Sequence, residues 1–178
     1  MEHEVVQAVS PDCRVVYVDN DPLVIAQGQA RVTAPGVAYL SADLNDAAAV
    51  IAFAQDALDL RRPVVLSLIA ILQFVVDETR AHAIIERLME PLVPGSMLAL
   101  SIVTADSAPD EVNRGVAAYV ARGLEEKARD RAEVTALFGG RELLAPGVVL
   151  VNHWHPGPGG REFADEHVHM YGGVAVQG

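Results

Sequence analysis

Two acidic residues each stand just beyond a short apolar run. Asp19 follows Val15-Val16-Tyr17-Val18, and Asp43 closes the run from Val37 to Ala42. A carboxylate just past a strand of an α/β sheet can accept hydrogen bonds from both hydroxyls of a ribose, because ligands of such sheets sit beyond the carboxyl ends of the strands. The simpler alternative is that Asp19-Asn20-Asp21 serves only the turn and the helix cap that follow. A second acid at the same place on the next strand weighs towards the nucleoside reading. His153-Trp154-His155 and His167-Val168-His169 form two H-x-H pairs. On strands each pair would point to one face, and imidazoles gathered on one hairpin could bind zinc or copper. Their spacing matches no recognised metal signature, so the expectation is solvated histidines on an edge hairpin and no metal. His3 and His82 read as structural or surface residues, and Cys13 as a small buried hydrophobe.

The elements that would position these residues alternate. Val15–Val18 reads as a strand that stops at Asp19-Asn20-Asp21-Pro22. There Asp21 can accept from orphan N–H groups, and Pro22 at the first helical position loses no bond. The helix ends before Pro35-Gly36, and the strand from Val37 to Ala42 follows. With Asn45 as its cap, the next helix carries Val50, Phe53, Ala54, Ala57 and Leu58 on one stripe. Pro63 opens Val64-Val65-Leu66-Ser67-Leu68-Ile69, a nearly continuous apolar run of the kind found in a central parallel strand. From Asp77 to Val93 the stripe is Ala81, Ile84, Ile85, Leu88, Met89 and Leu92, stopped by Pro94-Gly95. Ser96 to Val103 is the next strand. A helical region runs from Pro109 to about Phe138 with a break near Asp130, and the mixed-sign run Glu125 to Arg131 reads as a solvated helix face. Val148 to Trp154 and His167 to Val176 read as strands around the loop Pro156 to Gly160, pairing antiparallel. The sum is a doubly wound α/β sheet with an antiparallel C-terminal edge strand. Its informative positions are Asp19, Asp43, the Ile69 to Gln73 segment and Thr104.

Composition narrows the function. The 178 residues carry 13 Lys+Arg against 24 Asp+Glu, a formal net charge of −11. With no basic cluster to meet a phosphate backbone, the composition argues against a nucleic-acid partner. A hydrophobic fraction of 51% supplies a globular core rather than a disordered chain. The uncharged apolar stretches Pro63 to Val76 and Pro91 to Ala105 are shorter than the ~18–20 residues of a membrane span. The start resembles neither a secretory signal nor a transit peptide. A single cysteine agrees with a reducing cytoplasm.

The segments Val16-Tyr17-Val18-Asp19-Asn20-Asp21-Pro22, Ala42-Asp43-Leu44, Ile71-Leu72-Gln73-Phe74-Val75 and Leu92-Val93-Pro94-Gly95-Ser96, with Leu98, Leu100 and Ser101, resemble the class I S-adenosylmethionine-dependent methyltransferases. More narrowly, they resemble a bacterial S-adenosyl methyltransferase family long described as a domain of unknown function, to whose C-terminal segment Tyr171-Gly172-Gly173-Val174-Ala175 is similar. The resemblance implies S-adenosylmethionine as cofactor and a Rossmann-like fold; a small-molecule acceptor fits the acidic charge better than RNA or DNA, with a protein acceptor left open. It makes Asp19 the ribose-binding acid, places Asn20 beside the adenine ring, and gives Asp43 the adenine amino group and the Leu44 backbone the ring edge. Ile69 and Ala70 would lie near the methionine part of the cofactor. Gln73 stands where many relatives have His, and no catalytic base is named.

The family's sheet begins with a strand and a glycine-rich turn that this sequence does not show. The segment His3 to Val9 resembles the helix after that turn. The expectation is therefore a single methyltransferase domain over 1–178, truncated at its N-terminus, with Val15–Val18 and Val64–Ile69 deprived of a shared neighbour. Alternatives are a degenerate, non-catalytic remnant that binds a partner through exposed strand edges, a domain-swapped or other homodimer among the forms it could take, and a nicotinamide-dependent oxidoreductase, which would explain Asp19 but not Asp43.

Overall fold

The computed structural model describes residues 2–32, 34–154 and 163–178. The chain folds as two compact units, Met1–Arg62 and Pro63–Gly178.

In the first unit, β1 (Val15–Asp19) pairs in parallel with β2 (Val37–Ser41), from Val15 opposite Val37 to Asp19 opposite Ser41. A parallel pair needs a crossover, supplied here by α2 (Pro22–Arg31). Its start is as the sequence requires: Asp21 accepts from the Leu23 N–H at 2.8 Å and Pro22 stands in the first turn. The helix α1 (Glu2–Val9) precedes β1. Its His3 is buried and structural, with its N–H donating to the Tyr17 hydroxyl at 3.0 Å, and Tyr17 stacks on Tyr39 at 5.2 Å between ring centroids. The helix α3 (Ala47–Ala57) is capped by Asp46, which accepts from the Ala49 N–H, and not by Asn45. Asn45 instead donates through its backbone and side chain to Asp43. Both residues are capping types, and a shift of one position exchanges them. Cys13 is a free cysteine and half-buried rather than fully buried.

In the second unit the strand order is β3 (Val65–Ile69), β4 (Met97–Val103), β7 (Met170–Val176), β5 (Glu142–Leu143), with β6 (Val149–Leu150) also pairing with β7. β3 and β4 are parallel, and β4 and β7 antiparallel. The apolar run expected to be central is an edge among the described residues: β3 pairs only with β4, and Val65 and Ile69 are 60% and 50% exposed. An all-apolar run signals two-sided burial only when neighbours are present to supply it. β7 is antiparallel as expected but interior, because the short β5 and β6 pair outside it.

The core of this unit joins α4 (Glu78–Met89), capped by Asp77, to the sheet's buried residues. Ala81, Ile84, Ile85, Leu88 and Met89 are buried as the stripe predicts, together with Leu98, Leu100, Ile102, Phe138, Val148 and Ala175. The long helical region is two helices, α5 (Pro109–Val120) and α6 (Arg131–Ala136). α5 stops at a Schellman-type turn, in which Gly123 (φ 82°) donates to the Val120 carbonyl and Leu124 to the Tyr119 carbonyl. α6 begins at a capping box of Asp130 and Glu133.

The antiparallel pairing expected of the segments Val148 to Trp154 and His167 to Val176 is present but short, Val149 opposite Gly172 and Leu150 opposite Tyr171, and the described histidines lie outside it. Val149–Leu150 gives way to a 3-10 turn, Val151–His153, and Asp165–His167 is another. His153 Nε2 lies 2.7 Å from Asp165 Oδ1, and His169 Nδ1 lies 3.1 Å from the Ser107 hydroxyl. His155 and the loop Pro156 to Gly160 lie outside the described residues. Among the described residues no three His, Cys, Asp or Glu side chains gather as metal ligands.

Candidate functional site

Parallel pairing of β1 with β2 brings Asp19 and Asp43 to one end of the first unit. The Ala42 N–H donates to the Asp19 carbonyl at 3.0 Å, so the two strands leave the sheet side by side. Each carboxylate is pinned through one oxygen. Asp19 Oδ1 accepts from the Asp21 N–H at 2.8 Å, and Asp43 Oδ1 accepts from the Asn45 N–H at 2.8 Å and from its side-chain amide at 2.6 Å. Turn chemistry and site chemistry are thus compatible, because the second oxygen of each acid takes no hydrogen bond among the described residues. Asn20 is exposed between Asp19 and the start of α2, and Leu44 follows Asp43 in a turn closed by the Asp46 N–H on the Asp43 carbonyl. This is a rigid pair of acceptors flanked by uncommitted backbone. Its chemistry suits the hydroxyls of a ribose and the amino group of a purine.

Ile69 and Ala70 stand at the carboxyl end of β3 in the second unit. Ala70 is held in the left-handed region at φ 54°, and its N–H donates to both the Ser101 carbonyl (3.0 Å) and the Ser101 hydroxyl (3.2 Å). Strain of this kind persists only where surroundings over-determine it. A 3-10 turn, Leu72–Phe74, follows. Gln73 is buried there, and its Oε1 has no hydrogen-bond partner among the described residues. Thr104, at the end of β4, is fully buried and uses its hydroxyl to accept from the Asp106 N–H.

The residues missed by sequence reasoning hold this turn in place. The run from Glu125 to Asp130 has no regular secondary structure and is not a solvated helix face, and Arg129 within it has no exposed surface. Its guanidinium donates to the Leu72 carbonyl (2.9 Å), the Val75 carbonyl (2.6 Å) and Glu78 (3.0 Å). Lys127 donates to Glu78 at 2.6 Å and to Glu133 at 2.8 Å, and its N–H donates to the Gln73 carbonyl. Burial pushes the Glu78 carboxyl up, but hydrogen bonds from Lys127 and Arg129 and their charges outweigh it and leave the group below the usual range. Bonding to Lys127 likewise lowers Glu133, and the two carboxylates raise Lys127. The available signal was the Asp130-x-x-Glu133 spacing. It starts a helix at 130 and so takes the preceding charges off any helix.

Open, mixed parallel and antiparallel sheets crossed over by helices, with acids at the strand ends, define a Rossmann-like α/β protein. Residues 2–178 match the family model for S-adenosyl methyltransferases, and the chain belongs to that family. It is similar to a DUF574 family protein from Streptomyces avermitilis MA-4680, with 45% identity over 99% of this chain and 70% of that one and a TM-score of 0.93. A candidate methyltransferase from Thermobifida fusca YX is 27% identical over 98% of this chain and 67% of that one, with a TM-score of 0.87. The N-methyltransferase NodS from Bradyrhizobium japonicum WM9, in complex with S-adenosyl-L-homocysteine, shares the fold at 14% identity and a TM-score of 0.52, over 96% of this chain and 70% of that one. No curated protein sequence matches the chain. None of these matches supports the nicotinamide reading. No helix among the described residues is long and apolar enough to cross a membrane.

Proposed function

We propose that the protein is an S-adenosylmethionine-dependent methyltransferase acting on a small-molecule acceptor in the cytoplasm. The observation that carries this reading is the pair Asp19 and Asp43, each fixed through one oxygen at the ends of adjacent parallel strands, with the other oxygen open. Asp19 would accept from the ribose hydroxyls and Asp43 from the adenine amino group, with Asn20 and the Leu44 backbone beside the ring. Ile69 and Ala70 would serve the methionine part, where Ala70 is already fixed by Ser101. The cofactor, when bound, supplies a methyl group activated by its attachment to a sulfonium. The protein then has to orient the acceptor and exclude water.

Titration with S-adenosylmethionine and S-adenosylhomocysteine by calorimetry tests the reading. Micromolar binding is expected, weakened about tenfold or more by Asp19→Ala or Asp43→Ala, since each removes a charge-assisted hydrogen bond. No binding by a folded chain would overturn it.

A second reading rests on the free edges of β1 and β3 among the described residues. Pairing there, by a further strand or by a second copy, would satisfy backbone groups that cost about 1–3 kcal/mol each when buried unpaired. A folded chain that self-associates and binds no cofactor would favour a non-catalytic remnant.

A further inference from the structure

Glu126 lies half-buried in a groove of about 330 Å³ that it lines with Val76, Val120, Gly123, Leu124 and Glu125. That volume is within the range of small-molecule sites. The Schellman-type turn after α5 builds one wall by leaving Val120 and Leu124 54% and 51% exposed. Phe74 and Tyr119, both partly exposed with ring centroids 6.1 Å apart, extend the apolar surface on the side of the turn that follows β3. The Lys127 N–H bond to the Gln73 carbonyl ties the Glu126 segment to that same turn.

The groove's electrostatics are one-sided. Lys127 is engaged by Glu78 and Glu133, and Arg129 by Glu78 and two carbonyls, so the adjacent cations are already satisfied. Glu126 has no hydrogen bond or ion pair among the described residues, and burial alone raises its carboxyl above the ordinary value. A carboxylate without a donor among the described residues, beside an apolar wall, calls for a ligand that is apolar in body and cationic at one end.

We propose that this groove binds the methyl acceptor and that the acceptor is an apolar amine, its hydrocarbon or aromatic body against Val76, Val120 and Leu124 and its ammonium on Glu126. The proposal rests on the methyltransferase reading. Glu126 takes one proton from the ammonium, and the apolar walls favour the neutral forms of both groups. The freed lone pair forms the nitrogen–carbon bond while the methyl–sulfur bond breaks and its electron pair stays on sulfur. The products are a methylated ammonium and a neutral thioether.

The test is an NMR titration of the chain with phenethylamine, 2-phenylethanol and 3-phenylpropanoate, which share a body and differ in charge, repeated for Glu126→Gln and Leu124→Ser. S-adenosylhomocysteine binding is measured in parallel. Phenethylamine is expected to bind saturably, about tenfold or more tighter than the alcohol and the carboxylate. Glu126→Gln should erase the preference for the amine over the alcohol, and Leu124→Ser should weaken both. Equal binding of amine and alcohol to the wild-type chain, or an unchanged preference in Glu126→Gln, would overturn the proposal in a chain that binds S-adenosylhomocysteine. Amine selectivity without S-adenosylhomocysteine binding would instead overturn the methyltransferase reading and its transfer step, while leaving the amine-binding groove established.

Discussion

Arg129 Nη2 donates to the main-chain carbonyl of Val75 at 2.6 Å, a bond made by a guanidinium with no exposed surface. Its Nη1 takes the Leu72 carbonyl, so one side chain closes both ends of the turn that follows β3. A planar fork can meet divergent acceptors in a way that a lysine's point charge cannot. Arg129→Ala would orphan two buried carbonyls and open a cavity, at a cost of about 3–5 kcal/mol. Chemical denaturation followed by circular dichroism checks this. Arg129→Lys should recover only part of the loss, and a loss below about 1 kcal/mol for the alanine variant would show that the turn holds itself.

The same network sets an acid limit. The pKa values of Glu78 and Glu133 are lowered in the folded protein. Their stabilising contribution is therefore present above the ordinary glutamate value of 4.5 and is lost as pH falls through the lowered folded values. Lys127 has the opposite sign: raised when folded, it stabilises below the ordinary 10.5 and ceases to do so as pH rises through its raised value. These side chains are more than a third exposed, so each contribution is at most about 1 kcal/mol. Melting temperature measured from pH 7 to pH 3 should fall on the acid side, and Glu78→Gln should flatten that fall. An acid limb unchanged in Glu78→Gln would place the sensitivity elsewhere, with Glu86, lowered by Arg141, the next group to substitute.

The strand–helix alternation was legible because period and punctuation agreed. Asp21-Pro22 opens α2, and the α4 stripe is buried residue for residue except for Leu92, beyond the helix. The acids were legible as a pair because parallel strands end side by side. Partnership was harder to read. β3 is apolar enough for the middle of a sheet, and only pairing determines that it is an edge. The run Glu125 to Arg131 looks solvated by composition, yet Arg129 is buried because the carbonyls it satisfies are more than fifty residues away in sequence. Long-range hydrogen bonds to main-chain atoms leave no trace in side-chain pattern, and so the clamp and the groove beside it emerge only from the fold.

Gly173 shows why the Tyr171-Gly172-Gly173-Val174-Ala175 segment carries glycine in the middle of β7. A Cβ at Gly173 would stand 3.0 Å from the tip of the Phe138 ring and 3.3 Å from Val148, and both neighbours are buried. Gly173→Ala should destabilise by about 1–3 kcal/mol through overpacking. Gly115 in α5 has nothing within 4 Å of its Cβ position, so Gly115→Ala should stabilise by about 0.5–1 kcal/mol. Opposite shifts in denaturation midpoint for the two variants would separate steric crowding from glycine's backbone entropy. Shifts of the same sign would contradict the packing account.

The edge of β3 makes a prediction about solution behaviour. Among the described residues its backbone is unpaired on one side, and Val65, Ser67 and Ile69 lie exposed on one face. An unprotected apolar edge is a template for another strand, and a lysine on such an edge is a common natural defence. Sedimentation velocity across a concentration series should show the chain associating with itself, and Val65→Lys should shift it towards monomer. Because Val65 packs little, the substitution should change folding stability by no more than about 0.5 kcal/mol, which keeps an effect on association distinct from unfolding. Association undiminished in Val65→Lys would locate the contact on another surface, and a wild-type chain that stays monomeric at every concentration would show that this edge is covered in solution.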